Sequence, residues 1–504
     1  MKYLRLKLFL LIIGIPLCLF GQEEPKSPII ERIEIVGHED IPLSDIQKIL
    51  PFKTEDSFVR NQLKVAKDMI SSLYRSRGYL DSKADVSFSE TNGIVAVVIE
   101  IDEGPCYHFS ETKVTGLSSV RMFVVLRELT YKKGDPYQPA RLFKTQGRLY
   151  RTGLFKDVSI KMSTTSAKMV DILIHVNQQP MKWIKAGVGF GSEEKERLSL
   201  ILAHNNFLRR AYKLELLNTL SRIWLESRLD FTNRYLFGTP TEFQAVTGWR
   251  KETREGYDLE RVTGLVNFGR MLKYQLRGAL RYRLERNVTF NVNPSIALTT
   301  PEKSSARSGG VALNQDTTDN FFFPNKGTRV GLQFDHTGGL FAGDQDFNKA
   351  LFDGSVYQAV LEKSVLVFHV RTGAVKPFGA SEAVPIYDRF FYGGANSVRG
   401  YKERGVGPKD NTGAPLGGNW MLGSSMEFRF PIWKKWKGAT FIDGGQVSPK
   451  ASEVGPSDWK YGSGIGIRYK TPVGPIRLDY GYKLNPDLDD KDRWRIHFTL
   501  GEPF

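Results

Sequence analysis

Arg399 is the residue whose type and setting first point to chemistry. It stands in Gly393-Gly394-Ala395-Asn396-Ser397-Val398-Arg399-Gly400-Tyr401, within the longest segment of the C-terminal two thirds that lacks strand-like alternation, roughly Gly379 to Asn419. A guanidinium offers a permanent charge and planar, fork-shaped donors, which serve to hold rather than to turn over a substrate. The patterns an enzyme would need are missing. There is no Gly-x-Ser-x-Gly, no phosphate loop ending in Gly-Lys-Ser/Thr, and no His/Cys spacing suited to zinc. The seven histidines are scattered, and His497 reads as a pore-lining residue rather than a ligand or base. The expectation is a protein without catalytic activity, cofactor or metal. A buried arginine in a glycine-rich loop, enclosed by strands with apolar opposite faces, suggests a loop tucked inside a β-barrel.

The elements that would position this loop come from the region 181–504, where hydropathy has a period of two. Tyr274, Leu276, Leu280, Tyr282 and Leu284 share one face against Gln275, Arg277, Arg281, Arg283 and Glu285. At the end of the chain Trp494, Ile496, Phe498 and Leu500 oppose Arg493, Arg495, His497 and Thr499. One such strand fits a soluble sandwich as well as a membrane barrel. Number and continuity favour the barrel: about 16 segments, roughly 20 residues each with their connections, match antiparallel membrane strands of ~10 residues. In hydrocarbon the sheet must close so that no edge groups stay unpaired.

Ahead of the barrel, residues 28–105 and 106–180 repeat one order of elements: strand, two helices, two strands. In the longer helix of the first copy Leu63, Ala66, Met69, Ile70 and Leu73 recur at three- and four-residue spacing, and Leu142, Leu149 and their neighbours do so in the second. Each unit is read as a small sheet covered on one side by two helices. At the N-terminus Lys2, Arg5 and Lys7 precede the apolar run Leu8 to Phe20, so residues 1–21 read as a secretory signal peptide. Of the two cysteines only Cys106 lies beyond that segment, so no intramolecular disulfide is expected. The net charge of +16 admits anionic lipid. Nucleic acid is not expected, because the arginines alternate with apolar residues along strands.

The paired βααββ units resemble polypeptide-transport-associated (POTRA) domains. Further motifs are Val398-Arg399-Gly400-Tyr401, the turn Asp319 to Gly327 with Phe323 and Pro324, the strand segments Ser425 to Pro431 and Phe441 to Gly445, and the terminal Phe504. With them, nearly the whole chain after residue 21 resembles the BamA/TamA-like outer-membrane assembly superfamily, of the bacterial surface antigen type. The resemblance implies two POTRA domains followed by a transmembrane barrel, in the outer membrane of a diderm bacterium with the POTRA domains in the periplasm. It implies that the loop 379–419 folds into the lumen and that Arg399 meets Glu427 and Asp443 on the barrel wall. It also implies a seam between the first and last barrel strands that opens sideways, with Gly187, Gly189, Gly191, Ile496, Phe498 and Phe504 along it. The same glycines also suit a strand that merely curves.

The implied function is assembly of outer-membrane proteins. Unfolded outer-membrane or secreted clients would add to POTRA sheet edges, and outer-membrane lipid and an accessory protein of the periplasm or inner membrane would be further partners. Two alternatives are a transporter dedicated to one secreted partner and a TamA-like accessory factor in translocation or lipid handling. Transporters of that kind carry a plug helix before the repeats, for which Glu23 to Pro28 leaves no room.

Overall fold

The computed structural model describes residues 28–165, 167–321, 323–455, 458–471, 474–487, 490 and 492–500. The expected signal peptide and Phe504 lie outside them. The chain forms two compact units.

The first repeat contains β1 (Ile29–Val36), α1 (Leu43–Ile49), α2 (Arg60–Arg77), β2 (Lys83–Thr91) and β3 (Ile94–Asp102). Its sheet has the order β1-β3-β2, with β1 parallel and β2 antiparallel to β3. Asn92 and Gly93 both take positive φ and close the β2–β3 hairpin, a turn whose twist matches that of the strands. Ile46, Ala66, Ile70 and Tyr74 pack with Ile30, Val95, Val97 and Ile99 in one core, and each large apolar side chain so buried stabilises the domain by about 1.5–3 kcal/mol. Met69 departs from the expected face and is exposed, while Tyr74 is buried. At 100° per residue, position 69 falls on the margin of the stripe centred on residues 63, 66, 70 and 74.

The second repeat contains β4 (His108–Thr115), α3 (Met122–Leu126), α4 (Pro139–Arg151), β5 (Phe155–Thr164) and β6 (Met169–Gln178), with sheet order β4-β6-β5. Phe109 stacks on Tyr131 with ring centroids 3.9 Å apart. Leu149, Val158, Val170, Ile172 and Ile174 are buried, whereas Leu142 is only half-buried.

The second unit is a closed antiparallel barrel. Its strands are β7 (Lys182–Gly191), β8 (Lys195–Phe207), β9 (Tyr212–Ser221), β10 (Trp224–Asn233), β11 (Thr241–Arg254), β12 (Tyr257–Met271), β13 (Leu276–Phe290) and β14 (Lys303–Asp316). They continue with β15 (Gly327–Thr337), β16 (Phe347–Leu361), β17 (Ser364–Pro377), β18 (Trp420–Trp433), β19 (Trp436–Ser448), β20 (Lys460–Thr471), β21 (Gly474–Lys483) and β22 (Trp494–Leu500).

A strand of ten to fifteen residues, such as β7 or β12, runs about 33–50 Å, and with a tilt near 45° it crosses a ~30 Å hydrocarbon layer. Leu280, Leu284, Ile465, Leu478 and Ile496 are exposed on the outer face, while Glu285, Asp335, Glu427, Asp443, Asp479 and His497 are buried inside. Tyr274, expected on β13, instead sits before it in a turn with φ 56° and is exposed. Its spacing matches the strand, but its backbone has already left the extended region. Among the described residues no helix is long and apolar enough to cross a membrane.

Candidate functional site

The segment 378–419 joins β17 to β18. Val398 and Tyr401 are buried with Phe390, Tyr392, Val406, Met421 and Val447. Arg399 is 3% exposed. Its Nε and Nη2 donate to the two oxygens of Asp443, each at 2.8 Å, and its backbone N–H donates to Oδ2 at 3.1 Å. Nη1 donates to Glu427 Oε2 at 2.5 Å. The guanidinium carbon lies 3.3 Å from the centroid of the Phe441 ring, so the cation stacks on an aromatic face while its edge engages carboxylates.

Gly400 lets the loop backbone reach the wall. A Cβ at this position would stand 2.9 Å from Lys483 N, and one at Gly481 would overlap the Arg399 carbonyl. Tyr401 Oη donates to the Asn485 carbonyl at 2.9 Å.

Several partners go beyond the Arg399, Glu427 and Asp443 set that the resemblance implies. Ser425 Oγ donates to Asp443 at 2.6 Å. Asp479 Oδ2 lies 3.8 Å from Arg399 Nη1, and Asp479 also pairs with Arg468 and with Arg477. Arg429 and Arg468 reach Glu427 at 2.6 and 3.3 Å. Four guanidiniums thus interleave with three carboxylates, so each charge is met by an opposite one in a water-poor interior. His497 Nε2 lies 2.8 Å from the Arg399 carbonyl. Their signal in the sequence was their parity: Arg477 and Asp479, like Ser425 and Glu427, alternate with outward apolar neighbours.

The same loop is held on another wall. Lys349 Nζ donates to the Asp388 carbonyl at 2.7 Å, Arg389 Nη2 donates to Thr299 Oγ1 at 2.9 Å, and Tyr387 bonds Ser304 at 2.7 Å.

The turn motif caps the β14–β15 hairpin. Asp319 Oδ1 accepts the N–H groups of Asn325 and Lys326 at 2.8 and 3.2 Å, and Gly327 has φ 106°. Phe323 and Pro324 line a cavity of about 440 Å³ together with Gly191, Glu193, Ala395, Glu427, Arg468 and Thr499.

β7 meets β22 at the strand ends. Among the described residues, facing positions are Gly191 with Thr499 and Phe190 with Leu500, joined by a hydrogen bond from Ser192 N–H to the Phe498 carbonyl at 2.9 Å. By contrast β21 faces β22 along all of Trp494 to Leu500, and β7 faces β8 along all of Lys182 to Gly191. Of the residues expected along the seam, Gly191 and Phe498 therefore meet the opposite strand. A Cβ at Gly189 would stand 3.1 Å from the Leu500 carbonyl oxygen, so Gly189 also lies against β22, while Gly187 and Ile496 have no facing residue across the seam among the described residues.

Residues 206–504 match the Omp85 superfamily domain, and residues 28–104 and 107–179 each match the POTRA family, described as the surface antigen variable number repeat. The chain belongs to the Omp85 superfamily. As an Omp85 protein it is placed in the outer membrane, with its POTRA domains in the periplasm. It is 25% identical over 466 residues to the outer membrane protein assembly factor BamA of Nitratidesulfovibrio vulgaris, covering 90% of this chain and 58% of that one. To BamA of Neisseria meningitidis serogroup B it is 22% identical over 534 residues, covering 94% and 66%. The chain thus spans less than two thirds of the length of these curated relatives. The crystal structure of BamA from Haemophilus ducreyi lacking POTRA domains 1–3 has the same fold, with a TM-score of 0.77 at 19% identity over 94% of this chain and 99% of that one.

Proposed function

We infer that this Omp85 protein assembles other outer-membrane proteins, receiving unfolded clients on its POTRA domains and inserting them at the seam between β7 and β22. The observation that carries this reading is the seam of the barrel: among the described residues β7 meets β22 at Gly191–Thr499 and Phe190–Leu500, while it pairs with β8 along all of Lys182 to Gly191. Unpaired strand edges accept extended chains through backbone hydrogen bonds with little sequence preference. A client strand added there would begin a new barrel wall in continuity with the old one, with no nucleotide hydrolysed.

The POTRA sheets offer the matching reception surface. β2 is an edge strand in the first domain, and a groove beside it is lined by Arg60, Leu63, Lys64, Lys67, Val86 and Phe88. An extended segment in that groove would pair with β2 while its side chains met both apolar and basic groups. The loop anchored by Arg399 acts in this reading as a lock on the folded barrel, and Val398, Gly400, Tyr401, Glu427 and Asp443 serve that lock. Outer-membrane lipid and an accessory protein are the further partners.

The test is quantitative outer-membrane proteomics after depletion of this protein. Loss of many unrelated β-barrels is the expected result. Loss of a single secreted protein, with other barrels intact, would replace this reading with that of a dedicated transporter.

A further inference from the structure

We propose that Glu193 and His497 are positioning residues that clasp the seam shut through the backbone of the loop, so that the seam opens by releasing this clasp while the Arg399 lock stays made. The proposal rests on the reading of the β7–β22 seam as the opening edge.

Glu193 lies in the turn between β7 and β8, and its Oε1 accepts the Ala395 N–H at 2.6 Å. His497 lies on β22 and meets the Arg399 carbonyl at 2.8 Å. A carbonyl oxygen only accepts, so Nε2 carries the proton. The loop segment 395–399 therefore spans the seam, with a donor at one end taken by the first hairpin and an acceptor at the other taken by the last strand. His497 Nδ1 stands 3.7 Å from Glu193 Oε1 and has no hydrogen-bond partner among the described residues, so the two side chains also face each other directly.

The bridging segment is itself held in place. Arg477 donates to the Ala395 carbonyl at 2.7 Å and to Asn396 Oδ1 at 3.2 Å, and the Arg399 guanidinium ties the same segment to β18 and β19. Among the described residues, strand pairing across the seam is at the Gly191–Thr499 and Phe190–Leu500 positions, with a hydrogen bond from Ser192 N–H to the Phe498 carbonyl. Two further hydrogen bonds through a third segment add to these. The cavity beside Gly191, Glu193 and Thr499 leaves space on the inner side next to the clasp.

The two devices differ in what their loss should do. The Arg399 guanidinium makes its hydrogen bonds to β18 and β19, away from the seam, so its removal lowers the folded fraction. Glu193 and His497 hold the seam alone, so their removal loosens it in barrels that remain folded.

The experiment uses the full chain with Cys106→Ser and the reporter Thr499→Cys, reconstituted in phospholipid vesicles. It measures the rate of N-ethylmaleimide labelling within the heat-modifiable, folded band. Glu193→Ala and His497→Ala are expected to raise that rate several-fold, and Glu193→Gln, which keeps an acceptor for the Ala395 N–H, to leave it near the parent rate. Unchanged labelling in both alanine variants would overturn the clasp. Should His497→Ala fail to fold, the Glu193→Ala and Glu193→Gln comparison decides alone. The opening reading is tested separately: if a Gly191→Cys/Thr499→Cys disulfide leaves assembly intact, lateral opening falls, while the labelling comparison still reports on the clasp.

Discussion

Arg399 gives three hydrogen bonds to the carboxylate of Asp443, two from its guanidinium and one from its own backbone N–H. Side chain and main chain are thus fixed by one acidic residue of β19, so the loop cannot slide along the wall without breaking all three. Arg399→Ala removes the cation and leaves Asp443 and Glu427 buried beside each other with part of their compensation gone. Breaking one partner of such a pair costs on the order of 3–5 kcal/mol. The heat-modifiable folded fraction on a gel should fall clearly, and Arg399→Lys should restore it only in part, because an ammonium cannot fork across a carboxylate. An unchanged folded fraction in the alanine variant would remove the lock from the account.

Gly481→Ala tests the same contact from the opposite side without touching a charge. The added methyl group would overlap the Arg399 carbonyl, and overpacking of this kind costs about 1–3 kcal/mol. The loop should lift off β21, so protease sensitivity within 378–419 should rise in intact barrels. Equal protection in the variant would mean that the loop backbone does not rest on β21 at this point.

Paired cysteines at Gly191 and Thr499, in a Cys106→Ser background, face each other across the seam. Oxidation should abolish client insertion and reduction should restore it. Full activity after complete crosslinking would count against a lateral route.

Cys106 supplies a prediction outside the barrel. Burial pushes its thiol above the ordinary range, and the nearby Asp40 adds to the shift. The thiolate is the reactive form, so alkylation by iodoacetamide at neutral pH should be slower in the folded chain than in denaturant. The folded chain's rate should climb only as pH rises past the ordinary thiol range. A folded-state rate profile with its midpoint at or below that of the denatured chain would contradict the burial effect.

The order of elements was legible because each repeat announces itself through a change of period, from two in the strands to 3.6 in the helices. Arg399, Glu427 and Asp443 were legible because they sit in distinctive stretches of sequence. Asp479 was not, and Phe441 and Ser425 were legible only as members of their motif segments, since a strand of alternating residues does not say which of its inward side chains will meet a loop from elsewhere. Phe441 is an aromatic facing the lumen, against the usual division, and only the guanidinium stacked on it explains why. The seam glycines show the limit of local reasoning. Gly187 and Gly189 share the expected lack of side chains with Gly191, but register is fixed by the offset between strands far apart in sequence, and this brings Phe190 into play beside Gly191. Tyr274 and Met69 were misplaced for simpler reasons, a turn with positive φ and a position at the margin of a helical stripe.

β7 has a two-colour pattern. Ile184 and Val188 point outward and are 72% and 76% exposed, and in an antiparallel pair directly facing residues share one side of the sheet. Any strand that docks there is sorted by its odd and even positions. In one setting its greasy residues continue the lipid-facing band; displaced by a single residue, every one of them is turned toward the charged interior. In the proposed insertion route the edge would discriminate between frames of an incoming strand while remaining indifferent to its individual side chains.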